Sequence, residues 1–367
     1  MQKDTLDYST EAIDRIVNSL KSVAQGVDAD FAKGISLFGA GMVGEWAVGY
    51  LQKQGAVVRS FLDNDPRKNG TSVSGIKVSL PEEAAVDGVD SVLITARHYV
   101  REISTQLDSK FANLISFDAY FIVQNYSRIA NVRDRLLEDE KSRIVFNAIL
   151  HSMLTSSLDA CYEVVEKHMY FSLPQFSGNF EETYVDAGAF VGDSMENFIW
   201  ENLGTFGHLY AFEPGERQFA ALQARTKRLV TEWAIDPAKI SLEKAGLSDS
   251  NTELSCTYVT EDALRHGLSA AGADSGSACV PVYSLDSYLN GRKATFLKVD
   301  IEGMEMAFLR GARETICNHR PKIAICIYHY PSDLYEIIEF LQDLSLGYKF
   351  SVRWHAPVFG DFVLYCY

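Results

Sequence analysis

The sequence is short of positive charge. Lysine and arginine number 34 against 49 aspartates and glutamates, a formal net charge of −15 over 367 residues. Phosphate backbones are bound by clustered cations, so this balance argues against a nucleic-acid partner and against an anionic membrane surface. Long apolar runs are missing too. No uninterrupted stretch nears the ~20 residues of a membrane-spanning helix, and Met1 to Thr10 is polar and acidic, unlike a secretory signal. The six cysteines (Cys161, Cys256, Cys279, Cys317, Cys326 and Cys366) form no C-x-x-C pair. They read as small apolar fillers in a reducing compartment, not as redox or zinc ligands. There is no solenoid repeat and no low-complexity tract. These absences leave a cytoplasmic globular protein as the expectation. Hydrophobic and charged contents of 47% and 23% are ordinary for that class. The length supports two or three domains, each large enough to hold a core without disulfides.

What is present is an alternation of apolar runs and helix-like runs. Residues 9–27 carry apolar side chains at helical spacing (Ile13, Ile16, Val17, Leu20, Val23), with Ser9 or Thr10 as N-cap. Strands are expected at Ile35–Phe38, Val57–Leu62, Ser91–Thr95 and Leu114–Phe117. Helices are expected at Val43–Gln54, Pro81–Ala85 and Tyr99–Leu107. This makes residues 30–122 a doubly wound α/β domain preceded by a helix over 1–29. Residues 126–170 are helical in pattern and charge-rich. They form either a connecting layer (123–177) or a lid over the next unit. That second α/β unit, 178–367, has strands expected at Thr183–Val185, His208–Phe212, Ile240–Lys244, Phe296–Val299 and Lys322–Ile327. A closing antiparallel pair is expected near Tyr348–Trp354 and Asp361–Tyr365. Within 251–282, the Thr/Ser/Gly/Ala-rich stretch Gly267 to Cys279 reads as a mobile loop between strands.

Two glycine turns follow strands and open helices, where free N–H groups and the helix dipole meet a ligand. The second, Asp186-Ala-Gly188-Ala-Phe-Val-Gly192, is followed by His208-Leu-Tyr-Ala-Phe-Glu213-Pro214. An acidic residue ending the second strand suits the two hydroxyls of a ribose, in NAD or in S-adenosylmethionine. Because the turn opens with a carboxylate, it disfavours a pyrophosphate and favours a ligand carrying a sulfonium and an ammonium group. The expected antiparallel strand pair leans the same way.

Tyr184-Val-Asp-Ala-Gly-Ala-Phe-Val-Gly192, Ala211-Phe-Glu-Pro214, Lys244-Ala-Gly-Leu-Ser-Asp249, Ser284-Leu-Asp-Ser-Tyr-Leu289, Phe296-Leu-Lys-Val-Asp-Ile-Glu-Gly303 and Phe308-Leu-Arg-Gly-Ala312 run in order across roughly 178–365. Together they resemble the successive motifs of the FkbM family of class I S-adenosylmethionine-dependent methyltransferases. The resemblance implies a mostly parallel seven-stranded sheet ending in an antiparallel pair. It also implies O-methylation of a saccharide or similar hydroxylated metabolite, with a place in polysaccharide biosynthesis. By position it implies that Asp186, Gly188, Ala189 and Gly192 line the methionine part of the cofactor. Glu213 would hold the ribose, and Leu247, Ser248 and Asp249 would lie near the adenine.

Methylating an alcohol requires alignment of the nucleophile and removal of its proton. Ligands of open α/β sheets bind at the carboxyl ends of strands, where Asp300, Glu302, His329 and Tyr330 fall. His329 is the candidate general base, because its ordinary pKa lies near neutrality, and Asp300 the candidate that orients hydroxyl or base. Bland alternatives stand beside these. Asp300 and Glu302 could cap a helix over Met304–Leu309, and His329 could be a packing histidine. Asp300, Glu302 and His329 could instead ligate Mg²⁺ or a similar hard ion. His355, at a strand end, is a weaker candidate for the acceptor pocket.

The first turn, Gly39-Ala-Gly41-Met-Val-Gly44, is followed some twenty residues later by Asp63, which is the context of a dinucleotide fingerprint. An NAD(P)-dependent oxidoreductase is therefore a rival reading. The stretch Phe61-Leu-Asp-Asn-Asp-Pro66, with Gly70 and Ser74-Gly-Ile-Lys-Val78, is similar to the N-terminal Rossmann-like domain of bacterial sugar acyltransferases. That similarity implies a nucleotide-sugar facing Gly39, Gly41, Gly44 and Asp63. A purely structural domain and a non-catalytic nucleotide-sugar binder remain alternatives.

Overall fold

The computed structural model describes residues 6–82, 90–107, 110–258, 266–270 and 278–367, with backbone alone at 255–258, 266–270 and 278. The chain divides into two compact units. One comprises 1–165 with 330–335 and 356–360, and the other 166–329 with 336–355 and 361–367. The helices of the expected connector up to residue 165 fall in the first unit.

In the first unit, α1 (Thr10–Ala29) starts where the Ser9 hydroxyl accepts from the Ala12 N–H. Six strands come after it: β1 (Ile35–Phe38), β2 (Val58–Leu62), β3 (Ser72–Val73), β4 (Ile76–Ser79), β5 (Ser91–Ile94) and β6 (Asn113–Ser116). They lie in the order β3-β4-β2-β1-β5-β6, and only the β3–β4 contact is antiparallel. β1 and β5 are buried at every position, as expected of parallel strands covered on both faces. The order reverses between β1 and β5. The first glycine turn, leading from β1 into α2 (Met42–Lys53), therefore sits at the topological switch point. The chain continues through α3 (Val100–Leu107), α4 (Phe117–Asn131), α5 (Glu140–Thr155) and the short α6 (Cys161–Val164). The helix expected over Pro81–Ala85 lies mostly outside the described residues. The hairpin β3–β4 falls where no strand was expected from the sequence.

In the second unit, seven strands form the main sheet: β7 (Thr183–Ala187), β8 (His208–Phe212), β9 (Ile240–Glu243), β14 (Phe296–Val299), β15 (Lys322–Cys326), β16 (Phe350–Trp354) and β17 (Phe362–Cys366). Their order is β16-β17-β15-β14-β7-β8-β9. β17 inserts between β15 and β16 and runs against both; the other main-sheet contacts are parallel. This is the expected class I arrangement, and its switch point lies between β7 and β14. Helices α7 (Asp193–Glu201) and α8 (Glu216–Glu232) are the crossovers after β7 and β8. Tyr184 stacks on Phe198 of α7 at 4.2 Å, and Phe296 packs against both Tyr184 and Phe176, so an aromatic core underlies the switch point.

The described ends of the stretch expected as a loop, 267–270 and 278–279, lie in strands and correct that expectation. β10 (Gly246–Ser248), β11 (Thr252–Tyr258), β12 (His266–Ala270) and β13 (Ala278–Ser284) form a second sheet in the order β10-β13-β11-β12. The β11–β12 and β11–β13 contacts are antiparallel. Small polar residues favour turns by themselves, but a paired neighbour supplies the hydrogen bonds that local propensity does not. Residues 271–277 of that expectation lie outside the described residues. The unit continues with α9 (Leu285–Leu289), α10 (Glu305–Gly311) and α11 (Arg313–His319). α12 (Asp333–Asp343) comes after β15.

Candidate active site

A cavity of about 400 Å³ opens at the carboxyl ends of β7, β8 and β14, where the sheet order reverses. Its first wall is the second glycine turn. Gly188 has φ 80°, and a Cβ there would collide with the main-chain carbonyl of Asp300 on the neighbouring strand. The position therefore excludes any side chain twice over. The turn is held by Gly188 and Ala189 N–H groups donating to the Phe212 carbonyl at 3.1 and 2.9 Å.

Asp186 and Lys298 lie beneath this turn. Both are buried, at 0% and 2% exposure, and their charged atoms are 3.0 Å apart. The Ser194 hydroxyl donates to the other Asp186 oxygen at 2.6 Å, and Lys298 Nζ donates to the Gly188 carbonyl at 2.5 Å. Burial pushes the Asp186 carboxyl up and works against the Lys298 ammonium, yet the carboxylates of Asp186 and Asp300 hold that ammonium above its ordinary value. The two upward shifts favour opposite forms of the pair. The charged form matches the geometry, because two donors converge on the carboxylate. Gly188, Ser194 and Lys298 line the cavity, but Asp186 does not. Its carboxylate is already neutralised and reaches the cavity only through Lys298 and Ser194. Ala189 and Gly192 likewise lie behind the wall, Gly192 as the N-cap of α7.

The second wall begins with Glu213, 1% exposed at the end of β8. One of its oxygens accepts from the Phe190 N–H at 2.9 Å and the other from the Gly215 N–H at 2.6 Å. This carboxylate ties the glycine turn of β7 to the start of α8 while still facing the cavity. Beside it, Phe212, Pro214, Ala245, Gly246 and Leu247 make a largely apolar slot. Ser248 and Asp249 stay off the cavity wall. Ser248 is buried under α10, where Gly311 leaves no room for a Cβ against the Ser248 carbonyl. Asp249 is exposed and faces Arg310 at 3.5 Å.

The third wall is acidic. Asp300, at the end of β14, accepts from the hydroxyls of Tyr170 at 2.8 Å and Tyr328 at 3.0 Å. Burial would raise its pKa, but Lys298, His329 and the two hydroxyls hold it below the ordinary carboxylate value. His329, beyond β15 and 3% exposed, has Nε2 3.7 Å from Asp300 and 3.6 Å from Glu302, while Nδ1 lies 3.0 Å from Glu305. Burial would keep the imidazole neutral, but Glu305, Asp300 and Glu302 together push its pKa up to about 10. A histidine so held keeps its proton at neutral pH. Asp361 completes this wall. Burial and the nearby Asp300 push its pKa up to about 6.

The capping alternative for Asp300 and Glu302 is not what the structure shows. The N-cap of α10 is Met304, without a side-chain capping bond, and the Glu305 carboxylate accepts from the Ile301 N–H at 3.0 Å. His355 bonds Tyr365 and the Glu166 carbonyl away from the cavity wall, and Tyr330 belongs to the first unit. Sequence reasoning missed Lys298, Glu305, Tyr170, Tyr328 and Asp361. The signal for Lys298 was available, since a lone charge inside an apolar parallel strand must be paired. None existed for Tyr170 or Asp361, which reach the cavity from distant parts of the chain.

In the first unit, Asp63 accepts from the N–H groups of Ala40 at 2.9 Å and Asp65 at 2.9 Å and from Lys68 at 2.8 Å. Three of about four lone-pair sites are therefore spent within the protein. Gly39, Gly41 and Gly44 form the turn into α2. Gly41 is its N-cap and brings no side chain to the first-turn N–H groups.

Residues 186–350 match the model of the methyltransferase FkbM domain. A crystal structure of methyltransferase FkbM from Methylobacillus flagellatus KT aligns over 98% of this chain and 100% of its own, with 22% identity and a TM-score of 0.61. A putative rRNA methylase from Clostridium thermocellum is far more distant: 13% identity, 58% of this chain and 93% of its own, TM-score 0.31. Aeropyrum pernix fibrillarin with natively bound S-adenosyl-L-methionine is similarly distant: 15% identity, 53% and 69% coverage, TM-score 0.31. No curated protein matches the chain. The strand order and the site at the switch point define a class I, S-adenosylmethionine-dependent methyltransferase. Within that class, the stretch 186–350 is an FkbM methyltransferase domain. Among the described residues, no helix is long and apolar enough to cross a membrane.

Proposed function

We propose that this enzyme methylates a hydroxyl of a saccharide or a similar polyhydroxylated small molecule, with S-adenosylmethionine held in the cavity of the second unit. The observation that carries the reading is the cavity's polarity. One end is an apolar slot beside a ribose-type acid, and the other gathers the carboxylates of Asp300, Glu302 and Asp361 with Tyr170. Phe212, Pro214, Ala245 and Leu247 would flank the purine, Glu213 would accept the ribose hydroxyls, and Gly188, Phe190 and Ser194 would border the methionine part. When bound, the cofactor supplies an electrophilic methyl group on a sulfonium.

The chain's own groups supply the rest. Asp300 uses two of its about four lone-pair sites on Tyr170 and Tyr328. The remaining sites can accept the proton side of an acceptor hydroxyl and aim its oxygen. His329 serves this carboxylate through its positive charge, as a positioning residue. Neutral hydroxyls suit such a wall, whereas an anionic acceptor group would be repelled. If the acceptor is a nucleotide-sugar, its sugar faces Asp300 and its phosphates lie elsewhere. Free thiols at Cys161, Cys279, Cys317, Cys326 and Cys366 suit a reducing cytoplasm, and a role in polysaccharide biosynthesis follows from the acceptor class.

The test is transfer of labelled methyl from S-adenosylmethionine to a panel of monosaccharides, oligosaccharides and nucleotide-sugars. Label should appear on a hydroxyl oxygen. Asp300→Asn should lower kcat by about 10²–10⁴-fold while leaving S-adenosylhomocysteine affinity within a few-fold. Label found only on nitrogen or carbon acceptors would contradict the reading.

A further inference from the structure

The carboxylates around the cavity differ in what they already hold. Both oxygens of Glu213 accept from main-chain N–H groups, and Asp300 accepts from Tyr170 and Tyr328. Glu302 faces His329 Nε2 at 3.6 Å. Asp361 lines the same cavity, and among the described residues none donates a hydrogen bond to its carboxylate. A partly buried carboxylate without donors costs the fold free energy, so its presence calls for an explanation.

The backbone adds a second cost. Asp361 has φ 56°, in the left-handed region that glycine favours. The main chain is pinned there, just before β17. The Asp361 carbonyl accepts from the His355 N–H at 3.1 Å, and the Phe362 carbonyl accepts from the Ile327 N–H at 3.0 Å. The carboxylate is thus set on the cavity by backbone bonds beside the ends of β15 and β16.

The ionisable groups around Asp361 are Asp300 at the end of β14, and Cys326, Tyr328 and His329 on and beyond β15. Burial raises Cys326 and Tyr328, so both keep their protons. His329 keeps its proton as well, and Lys298 is paired with Asp186. Asp300 is held below the ordinary carboxylate value, which makes it a weak base. Burial and the charge of Asp300 raise Asp361 instead, against the opposing effect of His329.

We infer that Asp361 is the group that takes the proton from the acceptor hydroxyl. The role rests on the hydroxyl methylation proposed above. Asp300 aims the hydroxyl, and Asp361 receives what the oxygen must lose. As the oxygen forms its bond to the methyl carbon, the C–S bond breaks with its electron pair to sulfur. The hydroxyl proton passes to a carboxylate oxygen of Asp361 and returns to solvent before the next turnover.

The experiment follows methyl transfer from labelled S-adenosylmethionine to the hydroxyl acceptors of the panel between about pH 5 and about pH 9. Urea unfolding and S-adenosylhomocysteine calorimetry are run on the same preparations. In wild type, kcat/KM should fall as pH drops below about 6. Asp361→Asn should lower kcat by about 10²–10⁴-fold, abolish that acidic limb and keep S-adenosylhomocysteine affinity within a few-fold. Asp300→Asn should move the limb to lower pH, because the charge that raises Asp361 is gone. Asp361→Gly, which suits the left-handed backbone, should regain activity with added formate. In alkaline buffer, Asp361→Asn should unfold at a higher urea concentration than wild type. A carboxylate raised above its unfolded value contributes stability only while protonated, and loses it as pH rises through the folded pKa. Wild-type turnover with an intact acidic limb in Asp361→Asn, or no gain from formate in Asp361→Gly, overturns the role of Asp361 and leaves hydroxyl methylation standing. A lowered urea midpoint for Asp361→Asn in alkaline buffer makes the residue structural and overturns the role as well. Wild type that binds S-adenosylhomocysteine yet labels no hydroxyl overturns hydroxyl methylation, and the role of Asp361 with it.

Discussion

Asp186 sits at the start of the glycine turn, yet its carboxylate is turned into the protein and matched by Lys298. What the turn offers a ligand is thus set by a buried ion pair beneath it. Removing one partner strands the other. Lys298→Met should cost about 3–5 kcal/mol, seen as a lower urea midpoint. The double variant Asp186→Asn/Lys298→Met should recover part of that loss, because no charge is left unpaired. If both variants lose the same stability, the pair is not the organising feature. Glu213 offers a second case. Its two oxygens fix the N–H groups of Phe190 and Gly215, so Glu213→Ala removes both a ribose acceptor and the tie that shapes the turn. S-adenosylhomocysteine affinity should fall by more than ten-fold, and Glu213→Gln, which keeps an acceptor, should fall less.

The motif Phe308-Leu-Arg-Gly-Ala312 illustrates what an element demands of its sequence. Gly311 touches no ligand; it lets α10 press against the Ser248 carbonyl of β10. Gly311→Ala should destabilise the unit by about 1–3 kcal/mol in thermal or urea unfolding and shift the β10 edge that carries Leu247 into the cavity. Unchanged stability would show that α10 gives way instead. The same elements show what was legible beforehand. Parallel strands such as β1, β7 and β14 are buried on both faces, so each is a short run of apolar residues that stands out in the sequence. Of the residues that the glycine turns and strand-end acids singled out, Gly188, Glu213, Leu247, Asp300 and Glu302 line the cavity. β12 was illegible because it is poor in strand-forming residues and depends on β11 for its pairing. The charge state of His329 was illegible too, since it depends on Glu305, whose proximity only α10 and the end of β15 together produce.

Over the whole molecule, the net charge of −15 sets which acceptors can approach. A macromolecular polyanion gains nothing from this surface. Fluorescence anisotropy with a structured RNA at 150 mM salt is expected to show no binding, and micromolar affinity would call for a different acceptor class. Two α/β units each place a glycine turn at a switch point, and in the second the strand-end acid Glu213 faces a cavity. The most direct test is calorimetry of the full chain with S-adenosylhomocysteine. One molecule should bind per chain, with affinity reduced by Glu213→Ala and unaffected by Asp63→Ala in the first unit. A folded chain that gives no binding heat at any temperature tried, or binding that follows Asp63 and ignores Glu213, would contradict the account.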